Sequence, residues 1–301
     1  MFDTHCHLNF SRFKKNLDEV VNNAKSAGIT GIVVPGTDII TSKKAIEVAE
    51  KYEGIYAAVG IHPHHVYNFL GPASPLIPTS APPEWPDMRA VGNPFERATQ
   101  EKLELEKLVS HPKVVAIGEC GLDRHEYVNT KYESYKVDDG FIGLQRQILK
   151  MQIDLAIKFG KSLILHNREA KTEMLPLLEK KWDKRLAGRA VFHCCEADEE
   201  LLTFAKKHEI YIGVDGDVTY SKEKAEFIKK VPLEMLVLET DAPFLLPEPL
   251  KSQKLYPNEP KNIQVIAAYI SKFCDLSIDR LIEITTKNAF KLFQIPHSNR
   301  G

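Results

Sequence analysis

"MFDTHCHLNF", residues 1–10, reads as a short strand that ends in chemistry. Side chains along a strand alternate between faces, so Asp3, His5 and His7 are expected to share one face, with Cys6 on the other. Short β-branched runs recur at 30–35, 55–60, 114–118, 162–166, 190–194, 210–214 and 235–240. With residues 1–7 this makes eight candidate strands, the number that a closed (β/α)8 barrel requires. Amphipathic segments lie between them at 15–26, 41–52, 141–159, 197–207 and 222–230, and two more follow the last strand at 261–273 and 279–293. Alternation of this kind predicts an α/β fold on a parallel sheet, a TIM barrel.

At 301 residues the chain suits one such barrel with insertions, so residues 1–301 are read as a single TIM-barrel domain. Two stretches break the rhythm. Residues 67–97 hold seven of the eighteen prolines, which argues against a regular helix or inner strand there. Residues 125–139 are polar and carry three tyrosines. Both follow strands and are expected to be long rim loops over the catalytic face.

Lys and Arg number 40 against 41 Asp and Glu, for a net charge of −1. A protein that grips nucleic acid by overall charge is strongly basic, so any such contact here must be local. The cysteines Cys6, Cys120, Cys194, Cys195 and Cys274 show no disulfide or zinc-finger spacing. That implies a reducing compartment, cytoplasmic with a nuclear address left open. No stretch is apolar enough to span a membrane and the first residues do not read as a signal peptide, so no membrane role is expected. No obligate protein partner is legible either, and a monomer is the expectation.

The strand ends carry the function. They place His5 and His7 after the first strand, His62, His64 and His65 after the third, and Glu119 and Asp123 after the fourth. His166, His193 and Asp241 close the fifth, sixth and eighth. In a barrel enzyme the active site is built from these C-terminal ends. Burying so many ionisable groups without a counter-charge is costly, and a metal supplies one. Six protein ligands exceed the usual three plus water of one catalytic zinc and suit two ions. The expected arrangement has His5, His7 and Asp241 on one divalent ion, His166 and His193 on the other, and Glu119 bridging. A water shared by the ions would act as hydroxide, with Asp241 orienting it and taking its proton. Imidazole-rich sites favour zinc or manganese, whereas magnesium prefers oxygen.

"FDTHCHL", "VGIHPH", "IGECGLD", "LILHNR", "VFHCC", "VLETDAPFL", "NEP" and "TTKNAFKLF" occur in that order, and the set resembles the motifs of the TatD family of metal-dependent deoxyribonucleases within the amidohydrolase superfamily. The resemblance spans essentially the whole chain. It implies a TIM barrel with metal ligands at His5, His7, Glu119, His166, His193 and Asp241, with Mg2+ or Mn2+ in function and Zn2+ as the alternative. It also implies hydrolysis of DNA phosphodiesters, often as a 3′→5′ exonuclease, in DNA repair or DNA degradation. One departure follows the sixth strand, where Cys194-Cys195-Glu196-Ala197-Asp198 replaces the family's aromatic residue and glycine turn. The competing readings are hydrolysis of a small amide, ester or lactone on the same barrel, and a non-catalytic scaffold.

Four further residues are candidate substrate contacts: His62 and His64, which could equally be loop-packing residues, and Arg124 and Arg168, whose planar guanidinium groups suit a phosphate. Asp3 and Glu239 lie two residues before ligands, and are expected either to form buried polar pairs or to fix the tautomer of a ligating imidazole.

Overall fold

The computed structural model describes residues 1–70, 94–132 and 135–296. Eight parallel strands form one sheet in sequence order: β1 (Phe2–Asp3), β2 (Gly31–Pro35), β3 (Ile55–Val59), β4 (Val114–Asp123), β5 (Ser162–Arg168), β6 (Ala190–His193), β7 (Ile210–Val214) and β8 (Leu236–Leu238). Backbone hydrogen bonds then tie the segment after β1 to the segment after β8. Thr4 N donates to Leu238 O at 3.0 Å, Asp241 N to His5 O at 2.9 Å and His7 N to Ala242 O at 2.8 Å. The sheet therefore closes into a TIM barrel.

Around it lie α1 (Leu17–Ser26), α2 (Ile39–Lys51), α3 (Pro94–Val109), α4 (Asp139–Phe159), α5 (Lys171–Lys181), α6 (Glu199–His208), α7 (Lys222–Ile228), α8 (Ile263–Phe273) and α9 (Ile278–Leu292). Side-chain caps start several of them: Asp38 on α2, Asp138 on α4, Asp198 on α6 and Ser277 on α9 each accept from the first-turn backbone, satisfying donors that a helix leaves unpaired. The barrel interior takes one buried residue from each strand, Phe2, Val33, Ala58, Ala116, Ile164, Val191, Tyr211 and Val237. Ala289, Leu292 and Phe293 from the end of α9 pack against this layer and plug the face opposite the catalytic one. A larger apolar shell fills the space between strands and helices.

Two expectations need correction. The 67–97 stretch is not loop throughout, because residues 67–70 belong to a 3-10 segment (Pro63–Leu70) and α3 begins at Pro94. Proline is tolerated at the first helical position, where its missing N–H would have no intrahelical partner. Residues 71–93 lie outside the described residues. The first strand is also shorter than residues 1–7: regular pairing stops at Asp3, and beyond it Cys6 makes an isolated bridge to Ala242. Among the described residues no helix is long and apolar enough to cross a membrane.

Candidate metal centre

Strand alternation explains most of the site. Ile164 and Val191 face the barrel interior, so His166 and His193, two residues on, face it one layer higher. The same step carries β8 from Val237 through Glu239 to Asp241, and β3 from Ala58 to His62. Glu119 is out of step with interior Ala116. The β4 register slips between Ile117 and Cys120, and an irregularity of this kind re-aims a side chain. Four residues further on, Asp123 has the same aim. The approach of β5 to β4 needs Gly121, because a Cβ there would lie 1.8 Å from the His166 carbonyl oxygen. In β1 the interior residue is Phe2 and not Asp3. His5 and His7 reach the centre because the chain leaves strand geometry after Asp3.

Four donor atoms converge at the seam of the barrel. His5 Nε2 and His7 Nε2 are 3.2 Å apart. Glu119 Oε2 lies 3.4 Å from the first and 3.7 Å from the second, and Asp241 Oδ1 lies 3.7 Å and 3.4 Å from them. An ion about 2.1 Å from each donor would space tetrahedral ligands about 3.4 Å apart, so these separations fit a divalent cation. The other oxygen of Glu119 faces a second group. Oε1 is 2.9 Å from His166 Nδ1, 3.4 Å from His62 Nε2 and 3.8 Å from His193 Nε2. One carboxylate thus stands between two sets of imidazoles. His62, Glu119 and His166 form a compact candidate cation group. His193 instead groups with His5 and Glu239 and stacks on His5, with ring centroids 3.5 Å apart.

Carboxylates behind the rings set their basicity. Glu239, almost fully buried, accepts from Cys194 N and lies 3.0 Å from His193 Nδ1, which leaves Nε2 facing the centre. Burial pulls His193 down, but Glu239 and then Glu119 and Asp241 raise it to about 10. His166 is likewise lowered by burial and raised, to about 9, by Asp123 and Glu119. Burial would raise the Glu119 carboxyl, yet His62, His5 and His166 hold it well below the ordinary range. Burial and His193 keep His5 below its usual value, in the neutral form that ligates metal. Among the described residues the Nδ1 atoms of His5 and His7 have no hydrogen-bond partner. Packing holds those rings, His5 on His193 and His7 on Phe10 at 4.3 Å. Asp241 sits at φ 48° and Cys194 at φ 45°, left-handed backbone that non-glycine residues adopt at a cost and that concentrates at functional sites.

A family model described as TatD related DNase matches residues 2–294. The chain belongs to the TatD family. It is 31% identical over 298 residues to the "Uncharacterized metal-dependent hydrolase YabD" of Bacillus subtilis, covering 98% of this chain and 99% of that protein. It is 30% identical over 299 residues to the "3'-5' ssDNA/RNA exonuclease TatD" of Escherichia coli K12, with 98% and 99% covered. Among solved structures, the YJJV TatD homologue of Escherichia coli K12 superposes with a TM-score of 0.77 at 25% identity over 98% of each chain. As a member of that family the chain is a metal-dependent hydrolase on a TIM barrel.

The rim of this TatD barrel brings in some candidate residues and leaves others out. The candidate metal donors other than His5, which is fully buried, line a cavity of about 600 Å³ together with His62, His64 and Arg168. Arg168 lies over the Tyr127 ring at 5.2 Å and donates to its hydroxyl. His64 is packed among Tyr127, Tyr132 and Tyr135 with Nε2 3.1 Å from Thr130 Oγ1, and burial lowers it to about 4. Arg124 does not line the cavity, because Glu173 and Asp139 hold its guanidinium. Asp3 reaches no imidazole. It accepts from Thr240 N, Thr240 Oγ1 and His5 N, fastening β1 to the end of β8. Sequence reasoning gave Asp123 no role, yet it is fully buried with Oδ2 3.1 Å from His166 Nε2 and 2.7 Å from the Tyr127 hydroxyl. Its signal was the spacing of four from Glu119 along one strand. Also unanticipated is Lys224, held by Asp217 near Asp215 and Cys194 at the cavity edge.

Proposed function

We propose that this TatD-family hydrolase is a deoxyribonuclease, cutting DNA phosphodiesters from the 3′ end with two divalent ions. The observation that carries the reading is Glu119, whose two oxygens face separate imidazole groups. His5, His7 and Asp241 would hold one ion and His166 and His193 the other, with Glu119 shared and His62 beside the second. Bound ions would neutralise phosphate charge and lower the proton affinity of water. Asp241, at the cavity wall, takes a proton from the attacking water while the water oxygen bonds to phosphorus, and the bond from phosphorus to the 3′ oxygen breaks, that oxygen taking up a proton from solvent to leave as a hydroxyl. Glu239 and Asp123 keep His193 and His166 oriented. Arg168 offers two N–H groups to a phosphate in the cavity. The name of the Escherichia coli relative as a single-strand exonuclease supports this choice of substrate over a small amide, ester or lactone.

The test is a time course on an end-labelled DNA strand with Mg2+ or Mn2+, resolved by length, with Glu119→Gln as control. A metal-dependent ladder that shortens from the 3′ end and is absent in the variant is expected. No cleavage by metal-loaded protein that does turn over a small ester would overturn the nuclease reading.

A further inference from the structure

A second groove, of about 560 Å³, adjoins the metal cavity and shares Phe10 and Phe244 with it. Among the described residues ten line this groove, two of them cations and none a carboxylate. In a chain with 41 acidic residues and a net charge of −1, that imbalance leaves the groove locally positive. The cations are Arg12 and Lys44, both exposed and, among the described residues, free of ion pairs. Two large rings stand in solvent beside them, Phe244 at 50% exposure and Tyr256 at 53%. The aromatic surface is continuous with the metal centre. His7 stacks on Phe10 at 4.3 Å, and Phe244 meets both edge-on at 6.2 Å. Asn9, in the same wall, gives both amide hydrogens to Pro35 O and Thr41 O at 2.9 Å. Its Oδ1 is buried without a partner.

We propose that this groove holds the nucleotides of a single strand that flank the scissile phosphate, with bases against Phe244 and Tyr256 and phosphates near Arg12 and Lys44. The inference rests on the nuclease reading above and adds to it a groove for the nucleotides beyond the metal centre. Aromatic faces stack on bases of any sequence and cations follow the backbone, whereas a duplex keeps its base faces covered by their neighbours. A small amide or ester bound at the metals would not reach a groove beyond Phe10 and Phe244.

Two measurements separate this inference from the reading that it rests on. Binding of fluorescein-labelled oligothymidylate is followed by anisotropy under chelation, so that no strand is cut. Tyr256→Ala should weaken it about tenfold, as expected for loss of one stacked base. The Arg12→Glu, Lys44→Glu double variant should weaken it further and flatten the slope of log affinity on log salt by about 1.4, at about 0.7 per single-strand phosphate contact. With metal present, the ratio of kcat/KM on the oligonucleotide to kcat/KM on bis(p-nitrophenyl) phosphate should fall about tenfold in each variant. Wild-type affinity and salt slope in both variants would overturn the groove, as would failure of the wild type to bind the strand at low salt. Groove-dependent binding without cleavage in any metal would uphold the groove and sink the nuclease reading.

Discussion

Replacing Glu239 with glutamine removes one charge and almost nothing else. The amide oxygen can still accept from Cys194 N and His193 Nδ1, and its NH2 can meet Thr4 Oγ1, which now lies 3.3 Å from the carboxylate. What changes is the pull of the His193 ring on positive charge. That ring is raised from the ordinary 6.5 to about 10 in spite of burial, with Glu239 the leading cause ahead of Glu119 and Asp241. The rise corresponds to about 5 kcal/mol at about 1.4 kcal/mol per tenfold. If Glu239 supplies about 2 kcal/mol of this, its loss weakens the bound cation about thirtyfold, inside the ten- to hundredfold range typical of such partners. The assay is competition for Zn2+ or Mn2+ against a fluorescent chelator, alongside a thermal melt. Glu239→Gln should lose metal affinity with little change in melting temperature. Glu239→Leu should also melt earlier, since two buried donors lose their acceptor at about 1–3 kcal/mol each. Equal metal affinity in Glu239→Gln and wild type would refute the coupling of this carboxylate to the centre.

Gly213→Ala should weaken metal binding without touching a ligand, because the new Cβ would lie 2.6 Å from the Glu239 carboxylate; unchanged affinity in the chelator assay would count against that route. Metal affinity should rise with pH from about 6.5 towards 9, since His166 and His193, raised to about 9 and 10, must give up protons to a cation, and proton release on metal addition in weak buffer measures it. The sign reverses for stability of the chelated protein. Folded-state values above the unfolded one contribute stability that is complete below about 6.5 and lost through 9–10, so its melting temperature should fall across that window. Arg168→Ala should raise KM for phosphodiesters about tenfold or more, as for loss of a charge-assisted hydrogen bond, in steady-state assays with kcat less affected. A change confined to kcat would contradict a substrate contact.

The eight strands were legible because each is a short apolar run, and in three of them the interior position is followed two residues later by an ionisable one: Ile164 and His166, Val191 and His193, Val237 and Glu239. Where that period breaks, the sequence misleads. Asp3 was placed with His5 on one strand face, but pairing ends at Asp3 and its carboxylate serves the backbone of Thr240 instead. Glu119 is out of phase with Ala116, and only the register slip in β4 explains its aim. The helices α3 and α5 were not anticipated, since prolines mark the start of one and the middle of the other, at Pro94 and Pro176. Arg124 drew a substrate role from proximity to Asp123, but a sequence cannot show that Glu173 and Asp139 already hold it.

The seam between the first and last strands has a temporal consequence. His5 and Asp241 share one donor group and one backbone hydrogen bond although 236 positions separate them. A nascent chain presents His5 and His7 long before Asp241, which cannot be offered until the ribosome has made all eight strands. Closing so long a loop is entropically costly and slow, so the centre assembles among the last events of folding. A cation held there would therefore act on a finished barrel, as a clasp that latches it shut. In chelated protein the ends of β1 and β8 should be the first amides to exchange with solvent deuterium.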